Sequence, residues 1–313
     1  MRKNHFLNIE HSIIYDNRRL QQPLFLIILS IMKSLKKLLT LLLALSVLTG
    51  LAFGASKSSK KNTASDVRIV TLGPAATEII FAIGAQDQLV ARTDLCDYPP
   101  EAANYPSVGG FAGNTISLEA IISYEPTLVY LFAGMHDFLV QPLQDLGITV
   151  YVSDAVSIDA VKKEVLEIGA LTGHDKGAQK VVKQMDATLA RTEKLIKNKM
   201  KKQAAPTVYW EIWHEPMMSV GKNTFMNDII TLAGGINIFG NEEYAYPMVS
   251  EEAVLDANPD FIFYTGDGMG GGKPSDIFNP KGGIYYMGDD DRYVRSVPRC
   301  VDAVEKLANI LWK

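Results

Sequence analysis

Between His174 and Lys202 apolar side chains recur at Ala178, Val181, Val182, Met185, Leu189, Thr192 (through its methyl group) and Ile196. That is the spacing of a helix with one buried stripe, and Lys180, Lys183, Asp186, Arg191, Lys194 and Lys197 fill the opposite face. Gly173 and Pro206 punctuate its two ends. At about 1.5 Å per residue such a helix reaches roughly 40 Å, long for one compact domain, which predicts a strut joining two lobes.

Before the strut, short apolar runs alternate with amphipathic stretches. Strands are predicted at Arg68 to Leu72, Leu89 to Arg92, Leu128 to Leu131 and Thr149 to Val152. Helices are predicted at Ala75 to Ile83, Asp137 to Leu146 and Ile158 to Leu171. After the strut, strands at Thr207 to Glu211 and Phe261 to Tyr264 accompany helices at Phe225 to Ala233 and Arg299 to Leu311. Such alternation predicts an α/β fold with parallel sheets, in which ligands bind beyond the strands' C-terminal edges. The Gly-rich tract Gly266 to Gly283 carries no pattern that assigns a structure.

The two halves echo each other. Ser117-Leu-Glu119-Ala120 through Pro126 returns as Ser250-Glu-Glu252-Ala253 through Pro259, each a capped helix, a proline turn and a buried strand. Glu78-Ile-Ile through Gly84 likewise returns as Asp228-Ile-Ile through Gly234. Both echoes predict two related lobes, at 67–173 and 204–313, with the strut at 174–203 between them.

The first residues read differently. Met32 opens a segment with Lys33, Lys36 and Lys37, an apolar run from Leu38 to Leu51, and small residues at Ala52, Gly54 and Ala55. This is the order of a secretory signal peptide, 32–55, and the run is short for a membrane span. Residues 1–31 fit nothing downstream and are expected to be a non-native upstream leader, while 56–66 is a Lys/Ser/Asn-rich tether expected to be disordered. No cysteine stands at the cleavage point, so a soluble exported protein is expected rather than a lipid-anchored one.

Composition adds limits. The chain has 313 residues, 47% of them hydrophobic and 21% charged, enough for two medium cores. Removing 1–55 leaves 24 basic against 33 acidic side chains, a net charge of −9 that repels nucleic acid. Cys96 and Cys300 stand in different lobes, and nothing demands that they pair.

Candidate chemistry gathers in the loops after the strands. Tyr98, Phe111 and Phe132 come from the first lobe and Trp213, Tyr244 and Tyr246 from the second. Facing lobes would set these rings around one cleft suited to a large, rigid, partly apolar ligand. His214, beside Trp213, is a polar contact or a ligand to a metal carried inside the bound molecule. His136, His174 and His214 are too scattered for a three-histidine metal site of the protein's own, so none is expected, and no cofactor is. Gly270-Gly-Gly-Lys273-Pro274 lacks the first glycine and the Ser or Thr of a phosphate loop. No Gly-x-Ser-x-Gly elbow or other nucleophile–base pair is present, which argues against an enzyme. Glu119 and Glu252 occupy equivalent helix starts and would suit a two-fold symmetric partner that offers arginines.

From Arg68 to Leu311 the chain resembles the substrate-binding proteins of cobalamin and ferric-siderophore ABC importers, the helical-backbone (class III) periplasmic binding proteins. The matching motifs are Arg68-Ile-Val-Thr-Leu-Gly-Pro-Ala-Ala-Thr-Glu78, Asp97-Tyr98-Pro99-Pro100, Val108-Gly-Gly110, Leu118-Glu119 through Pro126, Ala233-Gly-Gly-Ile-Asn-Ile-Phe239 and Val249-Ser-Glu-Glu252 through Pro259-Asp260. The resemblance implies two Rossmann-like lobes joined by one long helix, with little hinge closure. It implies a monomeric periplasmic protein that holds its ligand between the lobes, and docking of Glu119 and Glu252 onto arginines of a dimeric inner-membrane permease. Within the family, Asp97-Tyr-Pro-Pro with aromatics at 111, 132 and 246 is most similar to the cobalamin binders; a ferric siderophore or haem is the alternative ligand. An arginine cluster in the cleft would favour an anionic chelate, and Arg92 is the obvious candidate. A Gly-rich loop after Tyr264 stands where the family has a helix and a strand.

Overall fold

Two sheets, each flanked by helices, are joined by one long helix. The computed structural model describes residues 66–265, 273–288 and 291–313; the leader, the signal segment, nearly all of the tether and residues 266–272 of the Gly-rich tract lie outside the described residues. The first sheet holds β1 (Ile69–Thr71), β2 (Leu89–Arg92), β3 (Leu128–Phe132) and β4 (Thr149–Ser153) in the order β2-β1-β3-β4, all parallel. Around it stand α1 (Pro74–Ala82), α2 (Leu118–Ile122), α3 (Asp137–Asp145) and α4 (Ile158–Thr172). The strut is α5 (Asp175–Met200), 26 residues or about 39 Å.

The second sheet repeats the plan of the first. It holds β5 (Thr207–Trp213), β6 (Met218–Ser219), β7 (Ile236–Asn237), β8 (Phe261–Tyr264) and β9 (Ile284–Tyr286). Strands β7, β5, β8 and β9 run parallel in an order that matches β2-β1-β3-β4, and the added β6 pairs antiparallel with the end of β5. Strand β9 corrects the expectation that a loop replaces the strand after Tyr264: three residues pair in register with β8 directly behind the Gly-rich tract. The helices are α6 (Phe225–Leu232), α7 (Glu251–Ala257) and α8 (Cys300–Leu311). The echoed segments occupy equivalent places. Helices α1 and α6 follow β1 and β5, and α2 and α7 precede β3 and β8.

One hydrophobic core runs through both halves. Ala178, Val181, Met185 and Ile196 of α5 are buried in a cluster that extends from Ile69 and Ile80 to Trp210 and Trp312. Gly177 makes this close packing possible, because a Cβ there would stand 1.9 Å from the Ile83 carbonyl oxygen. Polar ties accompany it. Asp228 of α6 accepts the Ile158 N–H at the start of α4 (2.7 Å), and Glu78 of α1 binds Arg295 and Arg299 at the approach to α8. Both cysteines are buried and free.

Candidate functional site

The loops after β1, β2 and β3 converge on a cavity of about 500 Å³, closed on its other side by the chain before α8. Pro74, Asp94, Leu95, Phe111 and Phe132 form the first wall, and Val294, Arg295 and Ser296 the second. The rings of Phe111 and Phe132 lie 6.1 Å apart at 60° and lean on Gly73, where a Cβ would come within 2.7 and 2.8 Å of them. Gly73 also has φ +151°, backbone that disfavours a side chain, so glycine is required twice over at the turn from β1 into α1.

His136 locks these two rings in place. It is fully buried; its Nδ1 accepts the Phe132 N–H (3.1 Å) and its Nε2 donates to the Phe111 carbonyl (2.9 Å). Its ring packs edge-on against Phe111, with centroids 5.3 Å apart at 86°. Burial pushes the imidazole below the ordinary histidine range, offset in part by the Phe111 carbonyl and by Asp137.

The second wall carries an ion network absent from any local sequence pattern. Arg295 reaches Glu78 (3.2 Å), Asp97 (2.8 Å) and Asp291 (3.0 Å), while Arg299 holds both oxygens of Glu78 (2.6 and 2.8 Å). Asp97 is held below the usual carboxylate range, chiefly by its hydrogen bond from Arg295. The Arg299 guanidinium stacks 4.0 Å from the centre of the Tyr98 ring. Tyr98 and Arg299 also border a neighbouring cavity of about 560 Å³ with Tyr286, Arg292 and Lys306. Arg92, the arginine anticipated for an anionic ligand, instead spends its guanidinium on the carbonyls of Thr93, Asp94, Ala102 and Ala103 and lines neither cavity.

Trp213, at the end of β5, His214, in the turn after it, and Tyr246, in the loop beside β6, line neither of these cavities. Trp213 ends β5, with its indole N–H donated to the Glu215 carbonyl (2.8 Å). His214 turns Nδ1 to Glu211 Oε1 (3.0 Å), and Glu211 is buried and takes the Tyr209 hydroxyl on its other oxygen (3.0 Å). Burial raises Glu211 above the usual carboxylate range, partly offset by those two hydrogen bonds.

Tyr246 lies in a bend whose Pro247 and Ala245 carbonyls accept the N–H groups of Ser219 in β6 and of Gly221 just after it. Trp213 pairs with Met218, and Met218 with Met248, so these three side chains share one face. Tyr244, Tyr246 and Met248 are 78%, 53% and 75% exposed.

Glu119 and Glu252 repeat one local geometry. Ser117 and Ser250 cap α2 and α7 by accepting the Ala120 and Ala253 N–H groups (3.2 Å each), and both glutamates are exposed in the first turn. The Ser117 hydroxyl donates to Glu119 and holds its carboxyl below the usual range. Among the described residues no group of His, Cys, Asp or Glu is arranged to hold a metal ion, and no helix is long and apolar enough to cross a membrane.

Comparison with known proteins agrees with this architecture. Residues 69–279 match the family described as "Periplasmic binding protein". An uncharacterized ABC transporter substrate-binding lipoprotein of Bacillus subtilis, YvrC, is 31% identical over 78% of this chain and 80% of its own length. The periplasmic vitamin B12 binding protein BtuF of Vibrio cholerae superposes with a TM-score of 0.62 at 27% identity, covering 78% of this chain and 96% of that one. The periplasmic haem binding protein HutB of Vibrio cholerae gives a TM-score of 0.65 at 23% identity, over 79% and 99% of the two chains, a likeness of fold.

Proposed function

The chain belongs to the periplasmic binding protein family, and from that premise we propose that it is the extracytoplasmic solute-binding component of an ABC importer, holding cobalamin or a related corrinoid between its lobes. The observation that carries the corrinoid reading is the charge balance of the cleft. Arg295 is the cation lining the Phe111 and Phe132 cavity, and Glu78, Asp97 and Asp291 surround it. In the adjoining cavity Arg299 is spent on Glu78 and the Tyr98 ring, and Arg292 and Lys306 stand with Asp302. A site of this kind suits a large neutral molecule with apolar faces, whereas haem brings propionates that need uncompensated cations. The vitamin B12 binding relative supports the same ligand.

In this reading Phe111 and Phe132 form one wall and the chain through Arg295 the other, Tyr98 borders the adjoining cavity, and Trp213, His214 and Tyr246, which line neither, would meet only the part of a large ligand that extends beyond them. The protein acts as a monomer and presents Glu119 and Glu252 to arginines of a dimeric permease. Haem or a ferric siderophore is the second reading, favoured by the way Glu211 orients His214 toward a metal. The visible absorption spectrum of the protein purified from its host tests the two. Corrin bands that exchange with added cyanocobalamin support the first; a haem Soret band or ferric-chelate charge-transfer absorption overturns it.

A further inference from the structure

We propose that His136 is a positioning residue of the cleft, whose neutral imidazole ties the Phe111 loop to the end of β3 and thereby fixes the angle between the two rings that meet the ligand. The inference rests on the functional reading above only in taking this cavity as the ligand site. Three observations support it. The imidazole is wholly inside the protein and bridges two backbone groups 21 residues apart, the Phe132 N–H and the Phe111 carbonyl. Its ring touches both phenyl rings, at 5.3 and 6.2 Å between centroids. Its backbone N–H returns to the Phe132 carbonyl (3.0 Å), so the turn from β3 into α3 closes through this one residue.

The bridge needs one ring nitrogen to accept and the other to donate. A protonated imidazole has two donors and cannot accept the Phe132 N–H. Burial already opposes that proton. The charge that acts on it is Asp137, the next residue, whose carboxylate takes the Gly134 N–H. Across the cavity Asp94 takes the Ser107 hydroxyl and Asp97 is paired with Arg295, so no group shown there supplies His136 with a bonded carboxylate. Acid therefore opens the bridge and frees the Phe111 loop, and ligand is held less tightly as pH falls.

Cyanocobalamin, whose own charge does not change between pH 7.5 and 5, is titrated into the mature wild-type protein and into His136→Gln and His136→Leu. Gln can accept and donate as the imidazole does but does not titrate; Leu can do neither. Wild-type affinity should fall with pH, by up to about tenfold per unit once the imidazole titrates. His136→Gln should bind with a flatter profile, and His136→Leu, with folding checked by its melting transition, should bind roughly tenfold more weakly at every pH. A His136→Gln profile parallel to wild type, or a folded His136→Leu that binds as wild type, overturns the inference. Absence of any cyanocobalamin binding by wild type would instead count against the corrinoid reading. Amide exchange at Phe132, expressed as protection relative to the intrinsic rate at each pH, then decides the matter without ligand: protection should be high in wild type at pH 7.5, fall at pH 5 below the value in His136→Gln, and be low in His136→Leu. Equal protection in all three overturns the role.

Discussion

Replacing Glu78 by Gln should destabilise the whole described unit, although the side chain sits in one lobe. The carboxylate is 3% exposed and is the shared partner of two arginines on the other half of the chain, at 3.2 Å to Arg295 and 2.6 and 2.8 Å to Arg299. Breaking a fully buried ion pair costs about 3–5 kcal/mol because a charge is left inside without its partner. Here the cost is smaller. Arg295 and Arg299 are 16% and 23% exposed, and Arg295 keeps Asp97 and Asp291. About 2–3 kcal/mol remains, which for a unit of this size lowers the melting temperature by about 4–6 °C. Scanning calorimetry of the ligand-free protein at neutral pH measures it, with the exposed Glu101→Gln as control. A double substitution, Glu78→Met with Arg299→Met, should recover part of the loss, because no buried charge is then orphaned on that side. A Glu78→Gln protein that melts within about 1 °C of the parent would refute the claim that this network joins the halves.

Gly73→Ala should weaken ligand binding more than it weakens the fold, by roughly tenfold in affinity, since the added methyl pushes directly against Phe111 and Phe132; equilibrium binding set beside a melting curve separates the two effects. Charge reversal of Glu119 and Glu252 together should abolish uptake in cells while leaving ligand affinity of the purified protein unchanged, and loss of binding instead would refute docking. Glu164 lies buried beneath the first sheet, bonded by the Tyr130 hydroxyl, and burial raises its carboxyl above the usual range. The folded form thus binds the proton more tightly than the unfolded form. Its contribution to stability is full below the unfolded pKa and is lost as pH rises through the folded one. Melting curves at pH 5 and 7.5 should show this difference in wild type relative to Glu164→Gln, in which it is absent.

The strut was legible because its 26 residues repeat one pattern; Ala178, Val181, Met185, Thr192 and Ile196 are buried as the pattern marks, Val182 and Leu189 are only partly buried, and buried Thr188 lies outside it. The echoed segments were legible for a related reason: a capped helix leading through proline into a central strand is local chemistry. Strands β6 and β7 were not, since two residues carry no periodicity, and β9 was hidden behind glycines that break any pattern. At the site, Phe111 and Phe132 could be found from their places after strands. Arg295 and Arg299 could not: they stand four residues apart beside Pro298, and nothing local announces a partner more than 200 residues away. His136 carries no such signal, since a lone histidine buried between two loops belongs to no cluster of metal ligands and its two backbone partners are not visible in sequence. Arg92 misled in the opposite direction, since an arginine that feeds backbone carbonyls looks the same in sequence as one that awaits an anion.

Calorimetric titration of the mature protein with cyanocobalamin, haem and a panel of ferric siderophores tests the central claim most directly. The account predicts one cobalamin bound per chain with submicromolar affinity and no competition from haem or the siderophores. Saturation by haem or an iron chelate, with no response to cobalamin, would contradict the neutral-ligand reading of the cleft.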